Sequence, residues 1–162
     1  MAIIKPNNNT ISAITALPAA ISTGKVLQVV SASQTNTVTS SDTSYVDTTG
    51  LSVAITPSSS SNKLFIMYDI MCGDSHTGRN ASLRIMRDST GIISPSNYWR
   101  LDDATRMNQL SGNFLDSPST TSEVTVKVQW RAESPGTISL NRRGDNSTVR
   151  SVSTISVMEI SA

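Results

Sequence analysis

From residue 124 the chain reads Val-Thr-Val-Lys-Val-Gln-Trp-Arg, so Val124, Val126, Val128 and Trp130 alternate with Thr125, Lys127, Gln129 and Arg131. A period of two puts the apolar set on one side of a pleated strand and the polar set on the other, which is a half-buried strand against a core. The same period recurs at Leu51, Val53 and Ile55. Between Asn62 and Cys72 both sides are apolar except at Asp69, as expected of a strand covered on both faces by a second sheet or another subunit. Further strands are expected over 24–31, 35–39, 45–48, 81–87, 137–140 and 152–160, about nine in all. No segment carries a capped 3.6-residue stripe.

Turn chemistry separates these segments. The runs 57–62, 72–78, 116–122, 134–136 and 143–146 are rich in Gly, Pro, Ser, Asp and Asn, and they recur at the short spacing of antiparallel sandwiches and barrels. The expected fold is an all-β antiparallel sandwich, jelly-roll-like, over residues 24–162, preceded by an extended arm over 1–23.

Composition tests that fold against disorder. The chain has 162 residues, of which 28 are Ser and 19 Thr, while net charge is +1. Leu, Ile, Val and Phe number 37, enough to fill a core when charge repulsion is this weak. Thr suits a pleated, half-wet surface and Ser supports turns, so the excess reads as the wet side of a β-protein. Near-neutral charge lacks the basic footprint of a nucleic-acid or anionic-membrane binder. No run approaches the ~18 apolar residues of a membrane span, and Pro6 with three Asn stands where a signal peptide would be apolar. Synthesis in a cytoplasm, without membrane insertion, is the expectation. Without disulfides or many aromatics, oligomerisation is the expected source of added stability.

Two stretches break the period. Residues 1–23 hold Ile3, Ile4, Ile11, Ile14, Leu17 and Ile21 among Pro6, Pro18 and three Asn. Scattered aliphatics suit an arm that docks on another protein, each filling a pocket. Residues 94–110 read as a long loop with Tyr98, Trp99, Arg100 and Arg106, the residue types that anchor interfaces; capping of the core by Trp99 is the alternative.

Catalytic patterns are weak. A hydrolytic triad would need His76, the lone histidine, and no Gly-x-Ser-x-Gly elbow occurs. Asp102, Asp103 and Asp116 could be paired as glycosidase acids, yet a solvated loop face explains them more simply. Gly73, Gly78 and Gly91 form no phosphate cradle. Arg143-Gly144-Asp145 reads as a hairpin turn with Gly at positive φ. Asn8, Asn80 and Asn146 head Asn-x-Ser/Thr triplets of the kind that chance supplies in such a chain. Cys72 alone builds no thiolate cage and reads as a small buried hydrophobe. Three copies meeting at His76 could hold one metal ion, but no resident metal, cofactor or catalytic activity is expected.

The blocks Gly24-Lys25-Val26-Leu27-Gln28-Val29-Val30, Thr49-Gly50-Leu51-Ser52-Val53-Ala54-Ile55-Thr56-Pro57-Ser58, Arg84-Ile85-Met86-Arg87-Asp88-Ser89, Asp116-Ser117-Pro118 and Val157-Met158-Glu159-Ile160 occur in that order. Together they resemble a domain of virion proteins from tailed bacteriophages, especially phages of cyanobacteria, over about 14–162. The resemblance implies a fibre-type or particle-decorating β-domain, usually trimeric, on the virion surface. It brings no catalytic residues. Where that family has a glycine-rich loop, near 91–100, this chain has Tyr98, Trp99 and Arg100. Two roles follow as expectations. One is a capsid decoration or cement protein, or short head fibre, whose arm grips the major capsid protein. The other is a tail-fibre domain that binds a host receptor or glycan through Tyr98 and Trp99.

Overall fold

A computed structural model of the chain describes residues 24–75, 79–101 and 103–162. Ten strands form, and no helix is present among the described residues. They are β1 (Val26–Gln34), β2 (Val38–Ser40), β3 (Val46–Ile55), β4 (Lys63–Asp74) and β5 (Arg79–Arg87), followed by β6 (Thr90–Leu101), β7 (Asn108–Asp116), β8 (Val124–Ala132), β9 (Ile138–Leu140) and β10 (Ser153–Ile160).

The antiparallel pairings are nested. The tight turn at Asp88 and Ser89 joins β5 to β6; outside it β4 pairs with β7, then β3 with β8, then β1 with β10. Successive pairs fall in alternate sheets. The first sheet carries β1-β10-β4-β7, with β9 and β2 continuing from the end of β4, and the second is β3-β8-β5-β6. This long hairpin rolled into two facing sheets is a jelly roll. Leu64, Ile66, Ile70, Ile155 and Val157 of the first sheet meet Leu51, Leu83, Ile85, Val126, Val128 and Trp130 of the second in one core.

Three expectations need correction. The stretch 94–110 is not a long loop: β6 runs to Leu101 and β7 starts at Asn108, both on sheet edges. Edge pairing tolerates the Pro95 and Ser residues that made β6 read as a loop. Next, among the described residues the second sheet covers one face of β4 and no element covers the other. Leu64, Ile66, Tyr68, Ile70 and Cys72 point into the core, while Phe65, Met67, Asp69 and Met71 face outward and stay half-exposed. Finally, Gly144 does not take positive φ, which falls instead at Gly50 (80°) and at the non-glycine residues Asp88 (52°), Ser119 (52°) and Asn141 (57°). Gly144 answers a steric demand: a Cβ there would stand 1.8 Å from the Asp74 carbonyl oxygen.

Polar residues stitch the ends of the sandwich. Asn141 is fully buried; its Nδ2 donates to the Asn36 carbonyl (3.1 Å) and the Gln34 carbonyl, and its Oδ1 accepts from Ser153 Oγ (2.6 Å). Ser153 Oγ accepts in turn from the Met71 amide (2.9 Å). At the opposite end Arg87 of β5 pairs with Asp116 of β7 at 2.8 Å, tying one sheet to the other.

Candidate interaction surfaces

The two outward faces differ because their sequences differ. On the second sheet, the polar half of the β8 alternation meets charges from β3 and β5. Asp47 accepts from Lys127 Nζ (2.9 Å) and Gln129 Nε2 (2.6 Å), while Arg84 Nε donates to Gln129 Oε1 (2.8 Å). The guanidinium groups of Arg84 and Arg131 lie 4.1 and 4.6 Å from the centre of the Tyr45 ring. Arg131 also pairs with Glu133 at 2.9 Å. The Lys127 and Gln129 contacts hold the Asp47 carboxyl below its ordinary value. The Ser82 hydroxyl, ahead of Arg131, does the same for Glu133. Among the described residues, the charges of this face satisfy one another.

The first sheet presents rows that can be read across four strands from its register. One row is Val29, Met158, Phe65 and Leu115, apolar throughout. The next is Ser31, Ser156, Met67 and Asn113, and the third is Ser33, Thr154, Asp69 and Ser111. Polarity therefore rises along the strands. At the apolar end a register shift between Val26 and Gln28 adds Val26 and Leu27, beside Ile160. Val26, Val29 and Leu115 are each 54% exposed and Leu27 is 46% exposed. Contiguous apolar surface of this kind marks an interaction site more often than scattered single residues do.

A buried carboxylate braces that end from beneath. Glu159 is fully buried and accepts from Gln28 Nε2 (2.6 Å), the Ser58 amide (2.7 Å), Ser58 Oγ (2.8 Å) and Asn62 Nδ2 (2.6 Å). Burial pushes its pKa up. The donors from Asn62, Gln28 and Ser58 outweigh burial and hold it at about 2. Gln28 also donates to the Thr56 carbonyl (2.8 Å), so β1, β10 and the 56–62 loop share one fixed anion.

The residues singled out in the sequence are scattered over this frame. Ile3, Ile4, Ile11, Ile14 and Leu17 lie outside the described residues, as do His76 and Asp102. Tyr98, Trp99 and Arg100 pair with Ser82, Ala81 and Asn80 along edge strand β6, and the side chains of Tyr98 and Trp99 are not among those described. Arg100 is exposed; Arg106, also exposed, lies in the following turn 3.8 Å from Asp103. Asp103 caps that turn through the Thr105 amide (2.8 Å), and Asp116 is held by Arg87. Arg143 and Asp145 pair with each other at 2.7 Å. Thr148 of the Asn146 triplet donates from its amide (2.8 Å) and its hydroxyl (2.7 Å) to Asn146 Oδ1. Cys72 is buried, which pushes its thiol pKa up and leaves it a core hydrophobe. Sequence reasoning missed the apolar row, because its members come from four separated strands and only the register aligns them.

No protein-family model matches the chain. No curated protein sequence matches it either. Among solved structures, it is similar to a chain of T=1 particles derived from infectious bursal virus, at 11% identity and a TM-score of 0.46 over 82% of this chain. A VP2 subviral particle of infectious bursal disease virus gives 13% identity and a TM-score of 0.46, also over 82%. The chain spans under two fifths of the length of these proteins, 38% and 39%. The Eiger TNF of S. frugiperda gives 10% identity and a TM-score of 0.35, over 82% of this chain and 93% of that one. At such identities and scores these likenesses carry nothing about activity or partners, and the jelly-roll assignment stands on the strand order of this chain.

Proposed function

We propose that the chain is a structural component of a virion, a decoration or cement protein or short head fibre that coats the outer shell as a homotrimer. The observation that carries this reading is a jelly roll whose first sheet bears an exposed apolar patch at one end of its outward face, while the described charges on the second sheet pair with one another. The fold recurs in capsid proteins and lectins, and the ordered sequence blocks resemble phage virion domains. Such a role needs rigid geometry and sticky surface; it asks for no reacting group. The protein acts without catalysis, cofactor or metal. Its partners are further copies of itself and the major capsid protein, gripped by residues 1–23 through Ile3, Ile4, Ile11, Ile14 and Leu17. Many weak grips on one particle sum to avidity.

Co-sedimentation of purified protein with shells assembled without it tests this. The intact chain binds; a chain lacking residues 1–20 stays folded and is left in the supernatant. Undiminished binding of the truncated chain overturns the arm as the grip. The receptor- or glycan-binding tail-fibre reading makes a different forecast: Ala at Tyr98 and Trp99 would abolish adsorption to host cells and leave particle assembly intact.

A further inference from the structure

At the end of the sandwich remote from the apolar patch, residues 141–151 form a hairpin in which Arg142 bridges Arg150 in antiparallel pairing. The Ser151 amide donates to the Asn141 carbonyl (3.1 Å) beside that bridge. Arg142 and Arg150 are therefore a non-hydrogen-bonded pair, whose Cα atoms lie ~4.5 Å apart with both side chains on one side. Like charges directly opposite each other are destabilising. Elsewhere the fold avoids that arrangement: Arg87, Arg106, Arg131 and Arg143 each face a carboxylate, of Asp116, Asp103, Glu133 and Asp145 in turn. No ion pair among the described residues includes Arg142 or Arg150. The hairpin holds three Arg and one Asp and so carries +2, against +1 for the whole chain.

The pair sits on a fixed base. The Asn141 amide donates to the Met71 carbonyl (2.8 Å), and a Cβ built on Gly73 would stand 2.3 Å from the Arg142 carbonyl oxygen, so this backbone lies directly on the end of β4. The Asp145 amide donates to the Ala104 carbonyl (3.3 Å) of the neighbouring turn. Arg142 is half-buried and commits one of its five N–H groups to Ser139 Oγ (3.3 Å), which leaves the others free to turn outward beside exposed Arg150. We propose that Arg142 and Arg150 form a clamp for one tetrahedral dianion, supplied as inorganic phosphate or as a phosphate monoester. Guanidinium forks present paired donors that match the oxygens of such a group. A dianion offsets both charges, whereas a carboxylate leaves one in excess. Because the excess charge is confined to one hairpin, the clamp suits a single phosphate and not a length of nucleic-acid backbone. The clamp lies apart from the apolar row and is independent of the virion reading.

Isothermal titration calorimetry of the full-length chain tests it, with inorganic phosphate, glycerol 1-phosphate and acetate at matched ionic strength and about pH 8, where both phosphates are dianions. Phosphate should bind once per chain, and acetate at least about tenfold more weakly. Arg150→Gln should weaken phosphate by at least about tenfold, while Arg150→Lys, which keeps the charge without the fork, should recover only part of the loss. Binding of inorganic phosphate alone assigns the free ion; comparable binding of the monoester assigns a phosphate carried on a larger molecule. Thermal unfolding separates a clamp from a structural role. Without anion, Arg150→Gln relieves the repulsion and should have the Tm of the natural chain or a higher one, and the gain in Tm that phosphate gives the natural chain should shrink in the variant. A lower Tm for anion-free Arg150→Gln would make Arg150 structural and overturn the proposal. Phosphate affinity unchanged in both Arg150→Gln and Arg142→Gln, acetate binding as tightly as phosphate, or no binding of either phosphate overturns it as well.

Discussion

Glu159 stands where a carboxylate is most costly, fully buried with no cation among its hydrogen-bond partners, yet four neutral donors keep it ionised. Its folded pKa of about 2 lies below the ordinary 4.5. A depressed folded value means stabilisation that is complete above pH ~5 and is lost as pH falls through 4.5 toward 2; at ~1.4 kcal/mol per unit it is worth about 3 kcal/mol. Acid titration of urea midpoints should show that loss, and Glu159→Gln should cost about 2–3 kcal/mol at pH 7 while flattening the acid limb. An unchanged acid limb in Glu159→Gln would assign it to other groups. Asn141 invites a paired test, because its backbone is left-handed and its side chain bridges the Gln34–Asn36 turn to Ser153. Asn141→Gly keeps the backbone and loses the bonds; Asn141→Ala loses the bonds and strains the backbone. Ala should be the less stable of the two by about 1 kcal/mol in chemical denaturation. Neither role was legible in the sequence: alternation puts Glu159 on the same side as Ile155 and Val157 without showing the donors that meet it, and nothing near Asn141 announces its partners.

Strands were legible where alternation is strong. β3, β4, β5, β8 and β10 alternate buried and less buried positions over most of their length, with Val, Ile, Leu or Trp at many of the buried ones, and that period locates them. β7 hid because its inward positions are Leu110, Gly112 and Phe114: Gly112 lies so close to Tyr68 that a Cβ would stand 2.6 Å from the phenolic oxygen. A glycine chosen by its neighbour's bulk breaks the apolar period without breaking the strand. β6 hid behind Pro95 and its serines, which an edge accepts. The end of β7 is tied to β5 of the other sheet by the Arg87–Asp116 pair, with side chains only 17% and 8% exposed. Arg87→Leu strands a buried carboxylate and should cost about 2–3 kcal/mol; changing both residues to Leu should recover most of it. Thermal unfolding of the two variants checks this, and an equal loss in both would show that the charge pair is not what matters at that corner.

At the scale of the whole molecule, Ser does more than wet a surface: buried Ser82, Ser139 and Ser153, with Ser58 of the loop before β4, are bonding partners of Glu133, Arg142, Asn141 and Glu159. Stability drawn from such polar joints and from one modest core leaves room for self-association to add to it, and native mass spectrometry at micromolar concentration should find a trimer; a monomer would contradict the proposed assembly. The jelly roll itself was legible as a class, since two-fold alternation and turn spacing allow little else, whereas the difference between the two outward faces required the register. The central claim is a place on a particle. A cryo-electron microscopy reconstruction of the virion whose genome encodes this chain tests it most directly. The account predicts jelly-roll density on the outside of the shell into which residues 24–162 fit, in threefold-related copies; purified, infectious particles that contain none of the chain would contradict it.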